Sequence, residues 1–160
     1  ILTQARRFDD ALAAYREAQA FDPGKEVPHF SLGYALAGKG LYKEAAESYR
    51  KSVELLGGER KYSQPLVYLA ATYAKIPEKR GEARDILARI EAMNEYASPA
   101  LLAAAYAALG DNDRATDLLE QAYRDRDLLL RFIGTGYEYD ELRADPPFVD
   151  LIKRTGLKNQ

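Results

Sequence analysis

The side chains in this sequence that could carry out chemistry are few and poorly companioned. His29 is the single histidine among 160 residues, and there is no cysteine. A catalytic imidazole needs a nucleophile or an orienting carboxylate within hydrogen-bond reach, and no serine or cysteine motif accompanies this one. With one histidine and no thiolate, a metal would have to rest on carboxylates alone. The missing thiols also remove any disulfide framework. His29 is therefore read as a packing or surface residue. The stretch from Gly110 to Ala115, Gly-Asp-Asn-Asp-Arg-Ala, sets oxygen ligands at alternate positions as calcium loops do. It lacks the following glycine and the closing glutamate of such loops, and Asp111 falls where a helix cap is wanted. Gly38/Gly40, Gly57-Gly58 and Gly134/Gly136 neither follow a strand nor precede the Lys-Ser/Thr pair that cradles a nucleotide, so they read as helix terminators. Asp9-Asp10 and Asp140-Glu141 are placed at helix starts, where the dipole favours negative charge. Acid–base work would need one of these carboxylates buried, and the pattern buries none. The expectation is a chain without catalytic, metal or cofactor residues.

The elements that position these residues follow from one pattern written four times. Ala11/Tyr15/Ala18, Ala45/Tyr49/Ser52, Ala83/Leu87/Ile90 and Ala115/Leu119/Ala122 each place a small residue four before a bulky one and seven before a third. The leading alanines recur 34, 38 and 32 residues apart. A period of that length with fixed internal spacing predicts an array of short helical units rather than a globular enzyme core. Composition agrees. Basic and acidic side chains, 23 against 25, nearly cancel, and no run supplies the basic face of a nucleic-acid reader. No apolar run approaches the roughly 20 residues needed to cross a bilayer. The chain opens at Ile1, with no basic-then-apolar leader, and enters the repeat part-way, as a fragment of a longer protein would.

The second unit displays the logic most fully. Pro28 sits in the opening turn, where its missing N–H costs nothing. Phe30, Leu32 and Leu36 follow at apolar positions, and Gly33 lies mid-helix at a cost of about 1 kcal/mol relative to alanine. A glycine kept there needs a packing reason, the close approach of a partner helix. Lys39-Gly40 ends that helix, and a second runs from about Tyr42 to Leu56 with Ala45, Tyr49 and Ser52 on one stripe.

Leu32-Gly33, Gly40, Tyr42, Ala45, Tyr49 and Ser52 resemble the tetratricopeptide repeat. The resemblance continues in Asp22-Pro23-Gly24, in Leu69-Ala70 and Tyr73, and in Leu102, Ala103, Tyr106, Gly110, Ala115, Leu119 and Ala122. The third unit departs from it, with an extra residue and Pro77 between its helices. The resemblance implies an all-α fold, a right-handed superhelix of paired antiparallel helices. It divides the chain into a half-repeat (1–24), repeats at 25–59, 60–96 and 97–126, and C-terminal capping helices at 127–160. An open stack leaves its last apolar face bare, and the tail is the simplest cover for it. Leu142-Arg143, Asp145-Pro146 and Phe148 also resemble a segment that closes such arrays in large bacterial regulatory proteins, with Pro147 standing where arginine is often found.

The family's architecture implies that the first helix of each pair lines a concave groove. That register places Phe30, Tyr34, Val67 and Ala71 there as candidate partner-binding residues, with Val27, Ala37, Gln64, Ala100 and Ala104. Such a trough would suit an amphipathic helix or an extended apolar peptide; the alternatives are tight closure over the alanines, or a groove filled by the tail. The lysine–asparagine clamp that grips a chaperone's C-terminal carboxylate is missing from the matching sites. The expected function is a non-catalytic protein-interaction scaffold within a larger bacterial regulatory or signalling protein, cytoplasmic or periplasmic, binding neither nucleic acid nor membrane. Self-association through Leu2, Phe8 and Leu12 is the second reading. Tyr34→Glu is expected to leave the fold intact.

Overall fold

The computed structural model describes residues 7–58, 63–93 and 96–157. Eight α-helices occupy them in order: α1 (Phe8–Phe21), α2 (Glu26–Gly38), α3 (Tyr42–Leu55), α4 (Ser63–Ala74), α5 (Arg80–Ala92), α6 (Pro99–Ala108), α7 (Asn112–Asp125) and α8 (Pro146–Thr155). Two 3-10 segments, Leu128–Phe132 and Tyr137–Leu142, separate α7 from α8. No strand occurs among the described residues. Nor is any helix among them long and apolar enough to cross a membrane.

The repeated spacing becomes burial. Ala11, Ala45, Ala83 and Ala115 are all fully buried, because a methyl group is what lets one helix axis lie close against the next. Four residues on, Tyr49, Leu87 and Leu119 are buried as well, which is the stripe an amphipathic helix turns toward its partner. Each of α2/α3, α4/α5 and α6/α7 packs as a pair, and α3 packs on α4. Short connections make the pairs antiparallel. The structure is thus an all-α helical-repeat solenoid. Gly33 has the reason its position required: a Cβ there would stand 2.9 Å from the buried Tyr49 ring, so the α2–α3 approach depends on the missing side chain.

Local signals explain most boundaries. Ser98 Oγ accepts from the Leu101 amide at 3.2 Å with Pro99 in the first turn, and Asp111 Oδ1 accepts from the Arg114 amide at 3.1 Å. The Gly110–Ala115 stretch is therefore a helix start. In the third unit α4 ends at Ala74, Pro77 opens a short 3-10 turn, and α5 begins at Arg80. The Arg80 guanidinium bonds the Ala74 carbonyl at 3.1 Å and the Leu109 carbonyl. It thereby satisfies terminal carbonyls of two neighbouring helices at the irregular joint. His29 holds the Asp22-Pro23-Gly24 turn: Nε2 lies 3.2 Å from the Pro23 carbonyl, and Nδ1 lies 2.9 Å from Gln19 Nε2. A carbonyl can only accept, so Nε2 carries the proton and Nδ1 accepts from the amide.

The tail covers the end of the stack. Asp127, buried beside the α6 N-terminus, accepts from the Ala100 amide at 3.2 Å and the Leu129 amide at 2.9 Å. Phe148, Leu151 and Ile152 of α8 are buried, and α8 packs on α7. Between these anchors the chain doubles back. Arg143 donates to the Gly134 carbonyl at 3.0 Å and the Gly136 carbonyl at 2.9 Å, fixing the bend.

Candidate functional site

The bend delivers Tyr137–Leu142 onto the first helices of the pairs. Tyr139 Oη donates to the Ala100 carbonyl of α6 at 3.0 Å, and Lys75, just past the end of α4, pairs with Glu141. Between them Glu138 is turned into the groove. Its carboxylate accepts from Tyr34 Oη of α2 at 3.0 Å and from Tyr68 Oη of α4 at 3.4 Å. Gly136 makes room for it, since a Cβ at that position would stand 2.7 Å from the Glu138 carboxyl carbon. Tyr137 packs edge-on against Tyr34, ring centres 4.8 Å apart, and against Phe8 at 6.1 Å. Phe30 meets Tyr68 at 5.2 Å and Tyr49 at 5.6 Å. The deeper part of the groove is thus filled by the chain itself.

Burial dominates the electrostatics. Glu138, 9% exposed, has its pKa raised by loss of solvent; bonds from its own backbone and from the Tyr34 and Tyr68 hydroxyls oppose the shift. Tyr34, Tyr68, Tyr137 and Tyr139 are all held above the ordinary phenol range, chiefly by burial, and next by Glu138 for Tyr34, Tyr68 and Tyr139 and by Tyr49 for Tyr137. All four phenols therefore keep their protons and remain donors near neutral pH.

What stays open is a trough along one edge of the groove. At its centre is a cavity of about 190 Å³ between α1, α2, α4 and the tail, walled by Tyr15, Phe30, Tyr34, Tyr68 and Phe132 with Glu138 at its inner side. A depression of about 360 Å³ adjoins it through Phe30 and Gln64, lined further by Val27, Leu56 and Pro65. Another of about 350 Å³ adjoins it through Gln64 and Leu129, beside Val67, Tyr96 and Leu128. Val27, Tyr96 and Leu128 stand 58%, 73% and 76% exposed along this edge.

The four residues singled out by register fall in different places. Phe30 and Tyr34 line the central cavity, Val67 lines the adjoining depression though only 1% exposed, and Ala71 lines a cavity of about 100 Å³ behind Glu138. Tyr34 cannot take a carboxylate without cost, because its hydroxyl is bonded to Glu138; Tyr34→Glu would set a second acid against a buried one. Asp140 and Glu141 do not start an α-helix; Asp140 lies in the first turn of a 3-10 segment. They close the Tyr137–Leu142 turn, where Asp140 accepts from Arg143 at 2.7 Å and Glu141 pairs with Lys75. Of the proposed self-association face, Leu2 lies outside the described residues, Leu12 is buried and Phe8 packs on Tyr137. Glu138 itself carried no sequence signal beyond the tyrosines on either side of it.

Residues 28–55, spanning most of α2 and all of α3, match the family model for the tetratricopeptide repeat. The α2–α3 unit is a tetratricopeptide repeat. Its Gly33–Tyr49 contact and buried Ala45 are the features by which the spacing was recognisable. Tetratricopeptide repeats are in general non-catalytic modules through which proteins bind other proteins. No curated protein matches the chain.

Proposed function

We propose that the chain is a non-catalytic protein-interaction module that takes a peptide or helix of a partner along the open trough, as part of a larger bacterial regulatory protein. The observation that carries this reading is the continuity of the trough. Gln64 lines all three hollows, Phe30 and Leu129 each join the central one to a neighbour, and Val27, Tyr96 and Leu128 stand out along their edge. Large apolar side chains grouped beside a concave surface mark binding sites on soluble proteins. Phe30 and Tyr34 are its central contacts. Val67 supports the floor at one end, and Ala71 lies behind the tail, on the small cavity it shares with Glu138.

Selection of a displayed random-peptide library against the chain tests this directly. Val27→Asp and Leu128→Asp alter exposed side chains, so each should leave the unfolding free energy within about 0.5 kcal/mol of wild type. Each should weaken selected peptides at least about tenfold, as loss of a large apolar contact does. Peptides that bind both variants as well as wild type would remove the trough from the reading. Self-association keeps one supporting feature, Phe21 at the end of α1, 91% exposed; light scattering over a concentration series separates it from a monomeric binder.

A further inference from the structure

We propose that the central cavity receives an alkylammonium group, presented as the side chain of a lysine in the bound peptide. This deepens the trough reading and rests on it. Three observations converge. The inner side of the cavity holds the Glu138 carboxyl, buried and bonded only by neutral hydroxyls from Tyr34 and Tyr68 and by its own backbone. No ion pair to it occurs among the described residues. Basic side chains around it are engaged elsewhere: Lys75 with Glu141, Arg143 with two carbonyls and Asp140, and Arg131 on the outer wall, its guanidinium 4.7 Å from the centre of the Phe132 ring. A buried carboxylate lacking a cation is costly, and supplying one from outside recovers that cost.

The walls say which cation. Tyr15, Phe30, Tyr34, Tyr68 and Phe132 surround the space. Aromatic faces attract a positive head and bury an aliphatic stem. Among the described residues no group of three His, Cys, Asp or Glu could hold a metal ion, and a single carboxylate among rings is a poor match for a hard ion. The volume, about 190 Å³, is below that of a drug-sized pocket, roughly 300 Å³ or more. It suits one side chain. Each carboxylate oxygen is already engaged by a tyrosine hydroxyl, which leaves single lone pairs rather than the paired face a guanidinium fork uses. A compact ammonium meets that requirement. The raised pKa of Glu138 has the same origin, a proton being the smallest cation that satisfies the site.

The test titrates the full chain with n-butylammonium and, separately, with n-butanol, following the amide resonances of Tyr34, Gly136 and Glu138. Butylammonium should shift them saturably and butanol at least tenfold more weakly. Glu138→Gln keeps an acceptor for the tyrosines and should abolish the preference while the protein stays folded. Phe132→Leu, at the partly exposed wall, should weaken butylammonium several-fold. Equal binding of the two probes, a preference that survives Glu138→Gln, or no saturable shift would overturn the proposal. Library-selected peptides carrying lysine or norleucine separate the sources. A lysine preference lost in Glu138→Gln assigns the site to a peptide side chain, whereas butylammonium binding without that preference assigns it to a free amine. Peptides that bind with either residue while butylammonium stays silent refute the cation site and leave the trough standing. Failure to select any peptide counts against the trough alone.

Discussion

Glu138 and its two tyrosines show how strongly one buried group can shape a groove. An acidic side chain in Tyr-Glu-Tyr-Asp-Glu-Leu reads from sequence as solvated, and its neighbours Asp140 and Glu141 are more exposed than it is. Its burial is decided by Tyr34, 104 positions away along the chain, and no local spacing encodes a contact of that range. Because burial raises its pKa in the folded protein, the folded state binds its proton more tightly than the unfolded chain does. That contribution to stability is complete below the ordinary carboxylate range and is lost as pH rises through the raised value. Glu138→Gln has no proton to lose. Its melting temperature should therefore gain on wild type as pH is raised, the difference levelling off once Glu138 is fully ionised. A difference independent of pH between the two proteins would show that the carboxyl is not buried as described. His29 and Asp111 went the other way: the bland roles implied by their surroundings are the ones their hydrogen bonds fulfil.

At the scale of elements, the helices were legible wherever local spacing and packing agree. The small-bulky stripe over Ala45 and Tyr49 gave α3, and Asp111 gave the start of α7. Pro77 marked the break in the third unit, but the bridging role of Arg80 needed the neighbouring helix end to be in view. The tail was legible as a cover with a helix from Pro146, yet not as a strap doubling back. Its path depends on 3-10 turns and on Arg143, whose guanidinium bonds two carbonyls in addition to its i,i+3 pair with Asp140. Arg143→Met keeps the apolar stem and strips both carbonyls of their donor. Leaving buried acceptors unmet costs about 1–3 kcal/mol. The variant should melt correspondingly lower, with faster amide exchange across Tyr137–Leu142. Unaltered exchange in that segment would mean that something other than Arg143 holds the bend.

Over the whole molecule, the repeats and the tail divide one surface between them. A helical stack offers a continuous groove along its first helices. Here the segment from Asp127 to Leu142 fills the deeper part and builds one wall of what remains, through Leu128, Leu129 and Phe132. The trough is therefore a joint product of α2, α4 and the tail. The register of the repeats places Phe30 and Tyr34 in the groove, whereas the wall opposite them comes from the tail. Under the proposed reading, the tail contributes to recognition as well as covering the stack. Amide chemical-shift mapping of the full chain with a library-selected peptide tests this most directly. The account predicts shifts clustered at Val27, Phe30, Gln64, Leu128 and Phe132, on both walls of the trough. Shifts confined to the opposite helices, α3 and α5, with the tail unperturbed, would contradict it.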